Sequence, residues 1–329
     1  MARIVRFHKT GGPEVLQIEE ESVAAPANGE LQIKVHALGL NRAESMFRSG
    51  QYLEAPQLPA RLGYEAAGTV TAVGEGVSGF NIGDAVSTIP NFSQNQYGVY
   101  GELVNVPVSA VARHPASLSW TQAAAIWMRY LTAYGALIDI ADIKAGEFVL
   151  IPAASSSVGL AAIELSNMVG AIPVALTRYG NKREALLKAG AKHVIATEEQ
   201  DLVAEVNRIT DGKGARVVFD PVGGPTISKL AEATAQNGII FQYGALSTEP
   251  TPLPLFSVIG KQLTIRGYTL FELSSNPQRL ERAKQFIVDS LASGKLIPLV
   301  AKTFPLQQIV EAHRYMESNQ QVGKIVVIV

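Results

Sequence analysis

The residues with the clearest chemical potential lie between Phe148 and Ala171. An apolar strand, Phe148-Val149-Leu150-Ile151, runs into a turn of small residues, Ala153-Ala154-Ser155-Ser156-Ser157-Val158-Gly159, and the turn opens an apolar helical stretch ending at Gly170-Ala171. Such a strand–turn–helix holds a dinucleotide pyrophosphate, because free N–H groups and the positive end of the helix dipole face the phosphates. The common fingerprint has glycines where this chain has Ala154, Ser156 and Gly159, so only the third is kept. The hydroxyls of Ser155, Ser156 and Ser157 are candidates to donate to phosphate oxygens, and also to cap the helix.

The second strand, Pro173-Val174-Ala175-Leu176-Thr177, ends without the Asp or Glu that holds a ribose 2′-OH in NAD-binding folds. The chain continues Arg178-Tyr179-Gly180-Asn181-Lys182-Arg183. Three cations and no carboxylate suit a 2′-phosphate, which points to NADPH, with Thr177, Arg178, Lys182 and Arg183 as its candidates and two of the cations expected to touch it. A plain solvated basic turn is the competing interpretation.

The elements that must position these residues fit a chain of 329 residues, enough for two domains. It is 47% hydrophobic with a net charge of −1 and no long cationic run, which argues against nucleic acid and against an anionic membrane surface. No apolar run reaches a membrane span, and the N-terminus reads as a strand rather than a signal peptide. With no cysteine, thiolate zinc sites, iron–sulfur clusters and disulfides are excluded, and the five histidines form no HxxxH or HExxH pair. The absence of cysteine and of a targeting signal suggests a cytoplasmic protein.

Residues 1–122 read as β-rich, with strands at Glu30–Ala37, Ala66–Gly74, Asp84–Thr88 and Gly101–Val106. Ser119 and Gln122 form a capping box for a helix Thr121–Ile126, followed by a second helix, Arg129–Asp139. From Glu147, strands at Glu147–Ile151, Pro173–Thr177, His193–Ala196, Val217–Asp220, Gly238–Tyr243 and Gln262–Arg266 alternate with helices, which predicts a doubly wound parallel sheet. A helix Arg279–Ser293 and strands Leu299–Phe304 and Lys324–Val329 follow and are expected to rejoin the first domain. The expected fold is therefore α/β, a Rossmann doubly wound domain (123–266) inserted in a β-rich domain (1–122 and 267–329). The loop Ser87–Tyr100 reads as polar and mobile, a candidate border of a substrate entrance.

In order and spacing the segments Gly39-Leu40-Asn41, Arg48-Ser49-Gly50-Gln51-Tyr52, Gly63-Tyr64-Glu65-Ala66-Ala67-Gly68, Val73-Gly74-Glu75-Gly76-Val77, Leu131-Thr132-Ala133-Tyr134, Ala153–Gly159, Phe219-Asp220-Pro221-Val222-Gly223-Gly224 and Gly323-Lys324-Ile325-Val326 resemble the medium-chain dehydrogenase/reductase superfamily, in its zinc-free quinone oxidoreductase (zeta-crystallin-like) branch. The resemblance implies that the β-rich domain is GroES-like and catalytic. Zinc members carry Cys where this chain has Asn41 and His where it has Tyr64, and neither replacement is a usual zinc ligand.

The resemblance further implies hydride transfer from NADPH, bound in the interdomain cleft, to a quinone or to the β-carbon of an α,β-unsaturated carbonyl. It points to Asn41 and Tyr52 beside the nicotinamide, with Tyr64 and Arg129 as further catalytic candidates and no obligatory proton donor. Asn41 is also a turn cap, Tyr52 a packing residue, Tyr64 a wall of the metal-less cavity and Arg129 a partner for a carboxylate. Cofactor candidates are Thr132, Ser155–Gly159 including Val158, Pro221, Val222, Tyr243, Gly244, Ala245, Leu246, Tyr268, Thr269, Leu270 and Lys324. Phe271 is expected to shape the acceptor pocket. Alternatives are an enoyl-thioester reductase and a non-catalytic NADPH-binding protein. Strand Gln262–Arg266 falls at the expected sheet edge, which predicts a homodimer.

Overall fold

The computed structural model describes residues 1–329. The chain divides into two compact units, one formed by Met1–Met128 with Lys284–Val329 and the other by Arg129–Ala283. No helix is long and apolar enough to cross a membrane.

In the second unit six strands, β1 (Phe148–Ile151), β2 (Ile172–Thr177), β3 (His193–Ala196), β4 (Ala215–Asp220), β5 (Thr234–Gln242) and β6 (Thr264–Gly267), form one sheet in the order β3-β2-β1-β4-β5-β6. Every pairing is parallel. This is the dinucleotide-fold order, with the switch point between β1 and β4, so the carboxyl ends of those strands open the crevice where such folds bind ligand. Leu150, Val174, Leu176, Ile195, Val218 and Ile240 pack with Leu202, Val206 and Leu230 of the flanking helices in a buried cluster. Each such side chain contributes about 1.5–3 kcal/mol on burial.

The first unit holds a seven-stranded sheet and a three-stranded one. In Glu30–Gly39, Leu31, Ile33, Val35 and Ala37 are buried while Lys34 is exposed, the alternation of a half-buried strand. Its end requires glycine: a Cβ on Gly39 would lie 1.9 Å from Ala124 O. The C-terminal strands Val300–Pro305 and Lys324–Ile328 join this sheet, the latter antiparallel to Glu30–Gly39.

Two segments differ from expectation. Ser87–Tyr100 contains the short helix Gln94–Tyr97 and buries Ile89, Gln94, Val99 and Tyr100, because Gln94 Oε1 accepts from Gly63 N at 2.8 Å and ties the segment inward. The helical region after Ser119 is Trp120–Ala123, capped by the Ser119/Gln122 box, then Trp127–Tyr134, which passes into a π-helical turn, Gly135–Ile140. The Tyr268 hydroxyl donates to Leu131 O at 3.4 Å, the acceptor an α-helical Gly135 N–H would use, and a side chain inserted in the ladder accounts for the wider turn.

Candidate functional site

In the second unit the phosphate turn leaves β1 through Ala153, at φ +48, and enters the helix Ser157–Met168. Ser156 caps that helix, its Oγ accepting from Gly159 N at 3.0 Å, so this serine is structural as well as a phosphate candidate. A Cβ on Gly159 would meet Ala154 O at 2.6 Å, which explains why this glycine of the fingerprint is present. Ser155, Ser157 and Val158 surround the helix N-terminus, whose first N–H groups have no intrahelical acceptor.

The basic corner reaches this turn: Lys182 Nζ donates to Ser155 Oγ at 3.0 Å. Burial, then Arg178, lowers the Lys182 pKa. Arg178 is exposed beyond the half-buried end of β2 at Thr177. Arg183 is turned away: Nη1 donates to Val194 O at 2.7 Å and Nη2 to Gln200 Oε1 at 2.8 Å, anchoring the loop after β3. A carboxylate that the β2 sequence did not reveal enters from the same loop, Glu199 Oε1 accepting from Gly180 N at 3.1 Å.

At the end of β4 the buried Asp220 accepts from Val222 N and Gly223 N at 2.8 and 3.1 Å. Burial pushes its carboxyl up to about 6. Asp220 thereby fixes the Pro221-Val222 turn. Tyr243 stacks on Phe219 at 4.0 Å, and Leu246 N donates to Pro221 O, so Tyr243, Gly244, Ala245 and Leu246 run beside that turn. Tyr268 is buried with its hydroxyl on Leu131 O, so its phenol is committed within the protein, while Phe271 begins a short helix. Arg129 is fully buried: Nη2 donates to Glu164 Oε2 at 2.8 Å, the guanidinium lies 4.5 Å from the Tyr130 ring, and Nε and Nη1 have no partner. Thr132 is buried one helical turn on.

In the first unit Asn41 caps the helix Arg42–Arg48 in a capping box with Glu44. Its backbone N–H donates to Glu44 Oε2 at 2.6 Å, and Nδ2 to Glu44 Oε1 and Gly39 O at 3.1 and 3.2 Å. Its Oδ1 accepts from Lys324 Nζ. Both amide hydrogens of Asn41 are thus committed within the protein. Lys324 is buried and also donates to Glu65, whose other oxygen accepts from Met128 N at 3.0 Å. Glu44 accepts as well from Tyr64 N at 3.2 Å, and burial first pushes its carboxyl up to about 7. The Asn-x-x-Glu spacing is the signal in the sequence for this acid, which the Asn41 cap alone does not reveal.

Tyr64 is buried with its ring 6.4 Å from that of Tyr52, which is half-buried. The two hydroxyls are hydrogen-bond partners, and burial above all pushes both phenols up. Burial, with Glu44 and Glu54, pushes Tyr52 up to about 12, which leaves its own O–H intact at neutral pH.

These residues do not fit zinc. An ammonium donates to Asn41 Oδ1 beside Tyr64, and a dication would meet that charge with no thiolate or imidazole to hold it.

A parallel sheet in this order with a phosphate turn at its switch point defines a dinucleotide-binding protein. The alcohol dehydrogenase GroES-like domain family matches residues 27–116, and the zinc-binding dehydrogenase family matches residues 189–327. Quinone oxidoreductase 1 of Escherichia coli K12 is 35% identical over 331 residues, with both chains fully covered. The 2-haloacrylate reductase of a Burkholderia species is 30% identical over 336 residues, covering all of this chain and 98% of that one. The crystal structure of Escherichia coli quinone oxidoreductase complexed with NADPH superposes with a TM-score of 0.92 at 34% identity, covering all of both chains. The chain belongs to the quinone oxidoreductase branch of the medium-chain dehydrogenase/reductase superfamily.

Proposed function

We propose that this protein is an NADPH-dependent reductase that passes hydride to quinones or α,β-unsaturated carbonyls without zinc. When bound, NADPH supplies the hydride. Ser155, Ser157 and Val158 with the helix N-terminus hold the pyrophosphate, Arg178 and Lys182 the 2′-phosphate, and the turns Pro221-Val222, Tyr243–Leu246 and Tyr268–Leu270 the remainder. The observation that carries this assignment is the Lys182–Ser155 contact, which joins the basic corner to the phosphate turn. Tyr52 donates to the oxygen on which charge develops, supported by the proton it retains and by its pairing with Tyr64. Asn41, held on both sides by Glu44 and Lys324, shapes that site rather than donating to the acceptor.

We also infer a cytoplasmic homodimer with no nucleic-acid partner. The dimer is supported by β6 lying at a sheet edge and by the adjoining helix Leu255–Lys261, whose Phe256 is 90% exposed and Ile259 65%. The net charge of −1 supports the absence of a nucleic-acid role.

The test is oxidation of NADPH against a panel of quinones and enones, with NADH in parallel and metal content measured. Metal-free turnover, faster with NADPH, is expected. Tight NADPH binding without oxidation by any acceptor would exclude the catalytic assignment.

A further inference from the structure

We propose that the Tyr52 face of the first unit selects neutral acceptors over anionic ones, with Glu54 as the discriminating residue. The inference rests on the quinone and enone reductase assignment and adds the charge class of the acceptor.

Tyr52 adjoins Tyr64, Tyr64 adjoins Phe92 at 5.6 Å, and Phe92 adjoins Tyr97 at 6.1 Å. This aromatic run, with Tyr64 and Phe92 buried, backs the half-buried Tyr52 and Glu54, so charge near the Tyr52 hydroxyl has low-polarity surface on one side and solvent and salt on the other. Two acidic side chains act there, of which burial pushes Glu44 up to about 7. Glu44 is fully buried and held by Asn41 and Tyr64 N. Glu54 sits two residues from Tyr52 and is held by Ser93 Oγ at 2.6 Å, Gln94 N at 2.9 Å and Asn95 Nδ2 at 3.3 Å.

Every one of these donors is uncharged, so Glu54 is fixed in place without being neutralised. Its charge opposes ionisation of both Tyr52 and Tyr64, whereas that of Glu44 acts on Tyr52. The buried ammonium of Lys324 is directed to Glu65 and Asn41. A neutral carbonyl therefore meets a proton donor. An acceptor with its own negative charge close to the reacting carbonyl meets the negative charge of Glu54, which no ion pair offsets, whereas Lys324 acts on Glu44.

The experiment compares 1,2-naphthoquinone with 1,2-naphthoquinone-4-sulfonate at saturating NADPH. The sulfonate withdraws electrons, so intrinsic reactivity favours the anion and a preference for the neutral quinone must come from the protein. At low salt kcat/KM is expected to be roughly tenfold or more higher for the neutral quinone. The gap should narrow toward 1 M salt, where the Debye length is about 3 Å, and narrow about three- to tenfold in Glu54→Gln. The salt series uses the unaltered protein and decides the matter if the variant misfolds. An equal or faster rate with the sulfonate, or a gap that does not respond to salt, overturns the proposal while leaving the reductase assignment standing. Reduction of neither quinone, nor of any other acceptor, removes that assignment and this proposal with it.

Discussion

Lys324 donates to Glu65 with both side chains 1% exposed, an ion pair sealed within the first unit. The ammonium also orders Asn41, and the Glu65 carboxylate receives Met128 N, so neither charge lacks partners. Removing one member leaves a buried charge uncompensated, which costs about 3–5 kcal/mol. Lys324→Met and Glu65→Gln should each lower stability by that order, and the double variant by clearly less than the sum. Urea unfolding of the three variants checks this; additive losses would show that the two groups do not act as a pair.

Tyr52 and Tyr64 should separate kinetically. Tyr52→Phe deletes the proposed donor and is expected to lower kcat by about 10²–10³-fold with NADPH affinity retained. Tyr64→Phe keeps the ring against Phe92 and removes the hydroxyl that pairs with Tyr52 and Gln94, so a smaller loss, about tenfold or less, is expected. Stopped-flow hydride transfer with a single quinone measures both. An unimpaired Tyr52→Phe enzyme would move the donor elsewhere.

The adenosine corner yields three distinct expectations. Arg178→Ala should weaken NADPH by about tenfold and leave NADH nearly unchanged, as a charge contact to a 2′-phosphate requires. Arg183→Ala should instead lower thermal stability, because its donors anchor Val194 O and Gln200. Glu199→Gln removes the carboxylate beside Gly180 and should tighten NADPH relative to NADH. Titrations of the three variants with both cofactors distinguish these roles; equal effects on NADH and NADPH would mean that the corner does not read the 2′-phosphate.

Local pattern made much of this architecture legible. The strand at His193–Ala196 and the Ser119/Gln122 box follow from short-range alternation and capping chemistry. The doubly wound parallel sheet follows from alternation of strands and helices, while its order β3-β2-β1-β4-β5-β6 comes from the structure. What sequence alone did not reveal depends on distant partners. Lys324, beside Gly323, reads as a cofactor contact until Glu65, 259 positions away, is brought against it. The π-helical turn at Gly135 depends on a hydroxyl 137 positions from its acceptor. Ser87–Tyr100 is polar in composition, yet Gln94 ties it to Gly63 and the segment is buried around that bond. Arg178, Lys182 and Arg183 look alike in sequence, and only the direction of each side chain separates an anchor from a ligand candidate.

Acid stability sets His313 against Glu44. His313 is fully buried, with Nδ1 3.2 Å from Arg48 Nη1, and burial, then Arg48 and Arg42, lowers its pKa to about 3. Between about pH 3 and 6.5 the unfolded chain therefore binds more protons at this site than the folded one, so stability rises with pH across that window and falls on acidification. Glu44 titrates near 7 when folded against 4.5 as the ordinary value, which reverses the sign between those two values. His313→Gln should thus flatten the loss of stability on acidification, and Glu44→Gln should steepen it. Chemical denaturation at about pH 5 and about pH 7.5 checks both signs; parallel slopes for the native protein and both variants would contradict the argument.

The helix Leu255–Lys261 offers the most direct test of assembly. Leu255, Phe256 and Ile259 are 50%, 90% and 65% exposed, and Leu253 just before them is 63% exposed. The neighbouring β6 presents an unpaired edge, so apolar surface and free backbone donors and acceptors lie side by side. A two-fold axis through this edge would satisfy both at once. Because Phe256 contributes almost nothing to its own unit's core, Phe256→Glu should change folding stability by less than about 0.5 kcal/mol while placing like charges across the axis. Sedimentation at micromolar concentration is expected to show a dimer for the native protein and a monomer for the variant. A native protein that sediments as a monomer would rule the dimer out, and a variant that stays dimeric would place the interface on another face.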